Sequence, residues 1–99
     1  MITNKYDIDF KKYLAWWGKS SQLLLCMEEC AELTKECSKA IRSISNRDNM
    51  IEELADVYMM GREMEIVFDC EEEVNKVIKE KNERTKQIML EEQKGMKQR

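Results

Sequence analysis

Histidine and proline are both absent from the 99 residues, and glycine occurs only three times. Without histidine, every zinc or di-iron motif that needs an imidazole is excluded, and so is every His-based catalytic triad or dyad. Without proline and with little glycine, a turn-rich all-β fold is disfavoured and long helices are favoured. Long uncharged runs are missing too. The longest, SSQLLLCM, is too short to span a bilayer, and no signal-peptide pattern opens the chain. There is no excess of positive charge: 17 basic and 20 acidic residues leave a net charge of −3, which does not suit a binder of nucleic-acid polymers. These absences predict a soluble, cytoplasmic protein with neither a membrane nor a nucleic-acid polymer as partner.

A chain of this length is one domain by size and buries only about two thirds of its unfolded surface, so oligomerisation is an expected way to complete its core. The four cysteines do not pair at the short spacings of a thiolate metal site. Cys26, Cys30 and Cys37 instead recur at helical spacing with Leu33 and Ile41, which predicts small buried thiols on one apolar stripe in a reducing compartment.

Four helices are legible. The first is expected from about Ile8 to Trp17, stopped by Gly18. The second starts near Ser20 or Ser21 and runs to about Ile41. After the break RSISNRD, Ser45 with Asp48 resembles a capping box for a third helix reaching about Phe68. Asp69 with Glu72 resembles another, opening a fourth helix that ends near Glu92, with residues 93–99 frayed. The expected architecture is all-α: a four-helix bundle with short connections.

The chemistry lies in where the charges fall. Glu29 and Glu32 border the stripe of the second helix, and on the third Glu53 and Asp56 share a face with Val57, Met60, Met64 and Val67. Residues three apart sit on adjacent turns, close enough to hold one cation. A hairpin turning near residues 42–45 would bring the two pairs within about 5 Å, one helical turn, of register. Four inward carboxylates repel one another unless a cation neutralises them. An all-oxygen ligand set favours a hard ion, Mg²⁺ or Mn²⁺.

The fourth helix carries the opposite anomaly. Lys81, Arg84 and Thr85 fall within the arc of Val74, Val77, Ile78 and Ile88, where Leu or Ile is expected, and Asn82 lies beside them. A Lys–Arg pair suits polyphosphate oxygens. Ahead of the second helix, WWGKSSQ offers one Trp of Trp16 and Trp17 for stacking on a base. It also offers Gln22, which carries both a donor and an acceptor.

WWGKSSQLLLCMEECAEL followed by IEELADVYMM resembles the MazG-like, all-α nucleoside triphosphate pyrophosphohydrolases. Their Glu-Glu-x-x-Glu and Glu-x-x-Asp motifs match Glu28, Glu29 and Glu32, then Glu53 and Asp56. The Trp-Gly and Gln ahead of the first motif match Trp17, Gly18 and Gln22. The basic KEKNER resembles the family's phosphate-binding segment and maps to Lys81, Asn82 and Arg84. The likeness covers roughly residues 13–89. It implies a homodimer or homotetramer that uses Mg²⁺ to cleave nucleoside triphosphates to monophosphate and pyrophosphate. Glu29, Glu32, Glu53 and Asp56 would hold the metal, Glu28 or Glu29 would be the catalytic base, and Trp17, Gln22, Lys81, Asn82 and Arg84 would bind substrate. The insertions of the related dimeric dUTPases are absent. The alternative reading is a non-catalytic helical module that oligomerises on the same fold.

Overall fold

A computed structural model describes residues 4–97. These residues form a 3-10 turn, Asn4–Tyr6, and four α-helices: α1 (Asp7–Trp17), α2 (Lys19–Ile41), α3 (Arg47–Phe68) and α4 (Glu71–Lys97). The chain is all-α, as its composition predicts, and no strand occurs among the described residues. None of the helices is long and apolar enough to cross a membrane. The chain divides into two compact units, the first ending at Asp69 and the second beginning at Cys70.

In the first unit each break between helices has a local cause. Gly18 sits at φ +88°, its N–H donating to the Leu14 carbonyl and its carbonyl accepting from Gln22 N–H. Only glycine takes that backbone conformation without strain. Helix α2 ends in a Schellman turn, with Ser43 N–H donating to Ala40 O and Ile44 N–H to Lys39 O. Ser43 occupies the left-handed position at φ 60°.

Helix α3 does not open with the expected Ser45–Asp48 capping box. Asn46, in extended backbone, is the cap, and its Oδ1 accepts from the N–H groups of Asp48 at 2.9 Å and Asn49 at 3.2 Å. A short amide at that position satisfies two orphan donors at once, leaving Ser45 outside the helix. Asp69 likewise does not open α4. It closes α3 in the left-handed conformation, its N–H donating back to Glu65 and Ile66 carbonyls.

Helices α2 and α3 pack against each other and α1 packs on both. Along α2, Gln22, Cys26, Glu29, Leu33 and Glu36, five of its buried or half-buried positions, are spaced alternately by four and three residues, the seam of an antiparallel helix pair. The expected thiol stripe is therefore turned around the helix. Cys26 and Leu33 border the core, but Cys30 and Cys37 are exposed and Ile41 is 86% exposed. All four thiols are free. On α3 the expected face holds: Met60 is buried, and Glu53, Asp56, Val57, Met64 and Val67 are half-buried.

Phe10 is the anchor of α1, in an aromatic series Tyr6–Phe10–Tyr13–Trp17 with ring centroids 6.2, 6.2 and 5.8 Å apart. Asp7 fixes the start of α1 to α3 by a two-pronged ion pair with Arg62, Nε to Oδ1 at 2.9 Å and Nη2 to Oδ2 at 2.7 Å. The Arg62 hydrogen bonds and charge hold the Asp7 carboxyl below its ordinary range. The buried residues Gln22, Glu36, Arg62 and Glu63 accompany the buried apolar Phe10 and Met60, so the interior is more polar than folding alone requires.

The second unit is α4 alone. Val74 N–H donates to Cys70 O, and Glu71, Glu72 and Glu73 fill the first turn, where carboxylates favour the helix dipole. Instead of ending near Glu92, α4 continues to Lys97. Its last turns are rich in strong helix formers, and Gly95, the one weak helix former there, is not enough to stop it. Residues 98 and 99 of the expected frayed end lie outside the described residues.

Candidate metal centre and adjoining cavity

The antiparallel run of α2 and α3 brings the two acidic motifs together. Glu29, Glu53 and Asp56, all half-buried, each offer a carboxylate oxygen within 4.8 Å of the other two. Burial raises the Glu29 pKa, as do a hydrogen bond to Asp56 and the charges of Asp56, Glu53 and Glu32. Burial also raises that of Glu53, together with the charges of Asp56, Glu32, Glu36 and Glu52. Like charges forced together off water account for both directions.

Glu32, the fourth expected ligand, is exposed and lies outside the tight trio. Its charge is still felt by Glu29 and Glu53, which places it on the rim. Glu36, whose charge is felt by Glu53, lies near the cluster and was not anticipated from sequence. It is 5% exposed, accepts from Lys39 Nζ at 3.3 Å through Oε1, and has no partner at Oε2. The Oε2 of Glu53 is also unpartnered. A buried carboxylate oxygen with no donor is costly, and a divalent cation is the group whose chemistry fits this donor set: three converging carboxylates without imidazole or thiolate.

Residues of α1, α2 and α3 also line an open cavity of about 450 Å³, within the range of small-molecule sites. Its wall includes three residues expected from sequence: Trp17, Gln22 and Glu28. Trp17 lines it rather than Trp16, which is 82% exposed. Gln22 is 4% exposed. Glu28, adjacent in sequence to the metal-cluster residue Glu29, is exposed and faces the cavity. Tyr13, Ser21, Leu24, Leu25, Met59, Met60 and Glu63 also line it, none of them expected from sequence as a site residue. Glu63 is 1% exposed, with Oε2 unpartnered and its pKa raised by burial.

Lys81, Asn82 and Arg84 lie exposed on α4, in the second unit. Thr85 is also exposed, its hydroxyl donating to the Lys81 carbonyl at 2.8 Å, so it is engaged with its own helix. Burial raises the Cys26 pKa, as does neighbouring Cys30, which keeps that thiol protonated and unreactive.

A heptad reading of both helices would have reached Glu36 and Glu63, since 29 and 36 occupy equivalent seam positions, as do 56 and 63. No family model, curated protein or solved structure matches the chain.

Proposed function

We propose that the chain is a MazG-like, Mg²⁺-dependent nucleoside triphosphate pyrophosphohydrolase, converting a triphosphate to its monophosphate and pyrophosphate. The observation that carries the reading is the convergence of Glu29, Glu53 and Asp56 within 4.8 Å, together with a cavity on the same helices lined by Trp17, Gln22 and Glu28, the last adjacent in sequence to Glu29. Such a pairing puts an anion-seeking cation on the same helices as a pocket with a ring to stack and an amide to hydrogen-bond.

On this reading Glu29, Glu53 and Asp56 would hold the ion, with Glu32 and Glu36 adding negative charge around it. When bound, the ion offsets the charge of the phosphate oxygens. Trp17 stacks on the base, and Gln22 hydrogen-bonds the base edge or sugar. Glu28 orients a water and takes its proton as the oxygen adds to phosphorus and the α–β phosphoanhydride bond breaks. The sequence motif KEKNER carries the remaining assignment, Lys81 and Arg84 as partners of the leaving pyrophosphate and Asn82 as a hydrogen-bond donor. Self-association as a homodimer or homotetramer belongs to the same reading. It is supported by the exposure of Ile51, Leu54, Tyr58 and Met59 on α3.

A panel of ribo- and deoxyribonucleoside triphosphates with Mg²⁺ tests this, scoring pyrophosphate against orthophosphate. Pyrophosphate release is expected. Orthophosphate as sole product, or no release from any nucleotide, overturns the assignment, and the latter favours a non-catalytic helical module.

A further inference from the structure

Glu63 takes no part in the cation cluster, yet it is the most buried ionisable group in the first unit among the described residues, 1% exposed with Oε2 unpartnered. It lines the cavity with Gln22, which is 4% exposed. Two polar side chains, both more than nine-tenths buried, therefore stand at the wall of one pocket. The rest of that wall is aromatic or apolar, apart from Ser21 and Glu28.

We propose that Glu63 and Gln22 form a reading head for an aminated heteroaromatic ring: a basic ring nitrogen beside an exocyclic amine, the edge shared by cytosine and adenine. The proposal rests on the nucleotide reading above and names which nucleotides the site prefers. A neutral carboxylic acid carries one O–H donor and one carbonyl acceptor side by side. That pair matches the ring nitrogen and the amine, forming O–H···N and N–H···O=C together. The ring nitrogens of cytosine and adenine are bases of about carboxylate strength, so the proton is shared and the bonds are charge-assisted. The ring N–H of uracil is far too weak an acid for such sharing. Guanine presents two N–H donors, which call for an ionised carboxylate.

The surroundings favour the neutral form of the acid. Burial raises the Glu63 pKa, and no cationic side chain lies on the cavity wall. The other titratable groups on the wall are the Glu28 carboxylate from α2 and the Tyr13 phenol from α1, and the Cys26 thiol on α2 lies close enough to feel the Glu63 charge. Arg62, its neighbour in sequence, is engaged by Asp7. Met59 and Met60 flank the wall, and their flexible side chains can repack around an entering ring.

The test is equilibrium binding of the four nucleoside monophosphates to the full chain without divalent cation, followed by Trp fluorescence and calorimetry. Wild type is expected to bind the cytidine and adenosine nucleotides at least tenfold more tightly than the uridine and guanosine ones. E63L should fold, since it removes an unpartnered buried acid, and should lose that preference. E63Q, which keeps a donor and an acceptor but cannot share a proton, should retain part of it. A preference for guanosine nucleotides, an unchanged preference in E63L, or no binding of any of the four overturns the proposal. Selective binding with no triphosphate cleaved would keep Glu63 and remove the pyrophosphohydrolase reading. Cleavage of all four triphosphates alike, unchanged in E63L, would do the reverse.

Discussion

Replacing Glu53 with Gln should make the cation-free protein more stable and abolish the gain that Mg²⁺ gives the wild type. The three carboxylate oxygens stand within 4.8 Å of one another. A six-coordinate Mg²⁺ with ligands at about 2.1 Å needs oxygens about 3 Å apart for neighbours and about 4.2 Å for opposites. A spread of at most 4.8 Å is close enough to that geometry for side-chain rotation to bring the trio onto one ion. At a cation concentration one hundred times its dissociation constant, binding to the folded state alone contributes about 2.7 kcal/mol. For a chain of this size that corresponds to a rise of roughly 10–20 °C in Tm. The assay is differential scanning calorimetry with and without MgCl₂ at matched ionic strength. In E53Q the buried charge and the repulsion that together raise the Glu53 pKa are gone, so apo Tm rises and the Mg²⁺ increment falls to near zero. An equal Mg²⁺ increment in wild type and E53Q would refute the reasoning, as would an apo E53Q less stable than wild type.

Four other outcomes follow from the same structure. The folded-state pKa values of Glu29, Glu53 and Glu63 lie above 4.5 and that of Asp7 below 3.8. The three glutamates therefore favour the fold fully below 4.5 and lose that contribution as pH rises through their raised values. The Asp7 contribution is lost as pH falls below 3.8, so apo Tm should peak between these limits; a peak above neutral pH in a thermal scan series contradicts this. Ser43→Gly relieves a left-handed serine and should stabilise the protein by about 1 kcal/mol in urea titration. Phe10→Ala removes the buried anchor of α1 and should cost about 3–5 kcal/mol by the same measurement. Glu28→Gln should lower kcat by about 10²–10⁴ with little change in KM in steady-state pyrophosphate release, as loss of a general base requires.

Helix number and class were legible because proline is absent and the apolar residues keep a helical period. The i, i+3 acids were legible too. Glu29, Glu53 and Asp56 converge because motif spacing and helix geometry are both local, and one short turn sets the register. The misreadings are also physical. Serine and aspartate are common caps, but Asn46 could satisfy two backbone donors and took the site, while Asp69 was drawn into a left-handed stop. A thiol stripe predicts three core cysteines, because thiols are usually buried, but only Cys26 borders the core while Cys30 and Cys37 are exposed. Instead the seam carries Glu29, Glu36, Glu53 and Glu63 at buried or half-buried positions. Glu63 was invisible to any rule that assigns buried positions by hydrophobicity.

The central claim, that the two acidic motifs hold one cation beside a nucleotide pocket, is tested most directly by anomalous diffraction. The protein would be crystallised with Mn²⁺ and a non-hydrolysable α,β-imido triphosphate. The account predicts a manganese peak among Glu29, Glu53 and Asp56, with the base against Trp17 and Gln22. Manganese elsewhere on the chain, or a nucleotide bound away from that cavity, would contradict it.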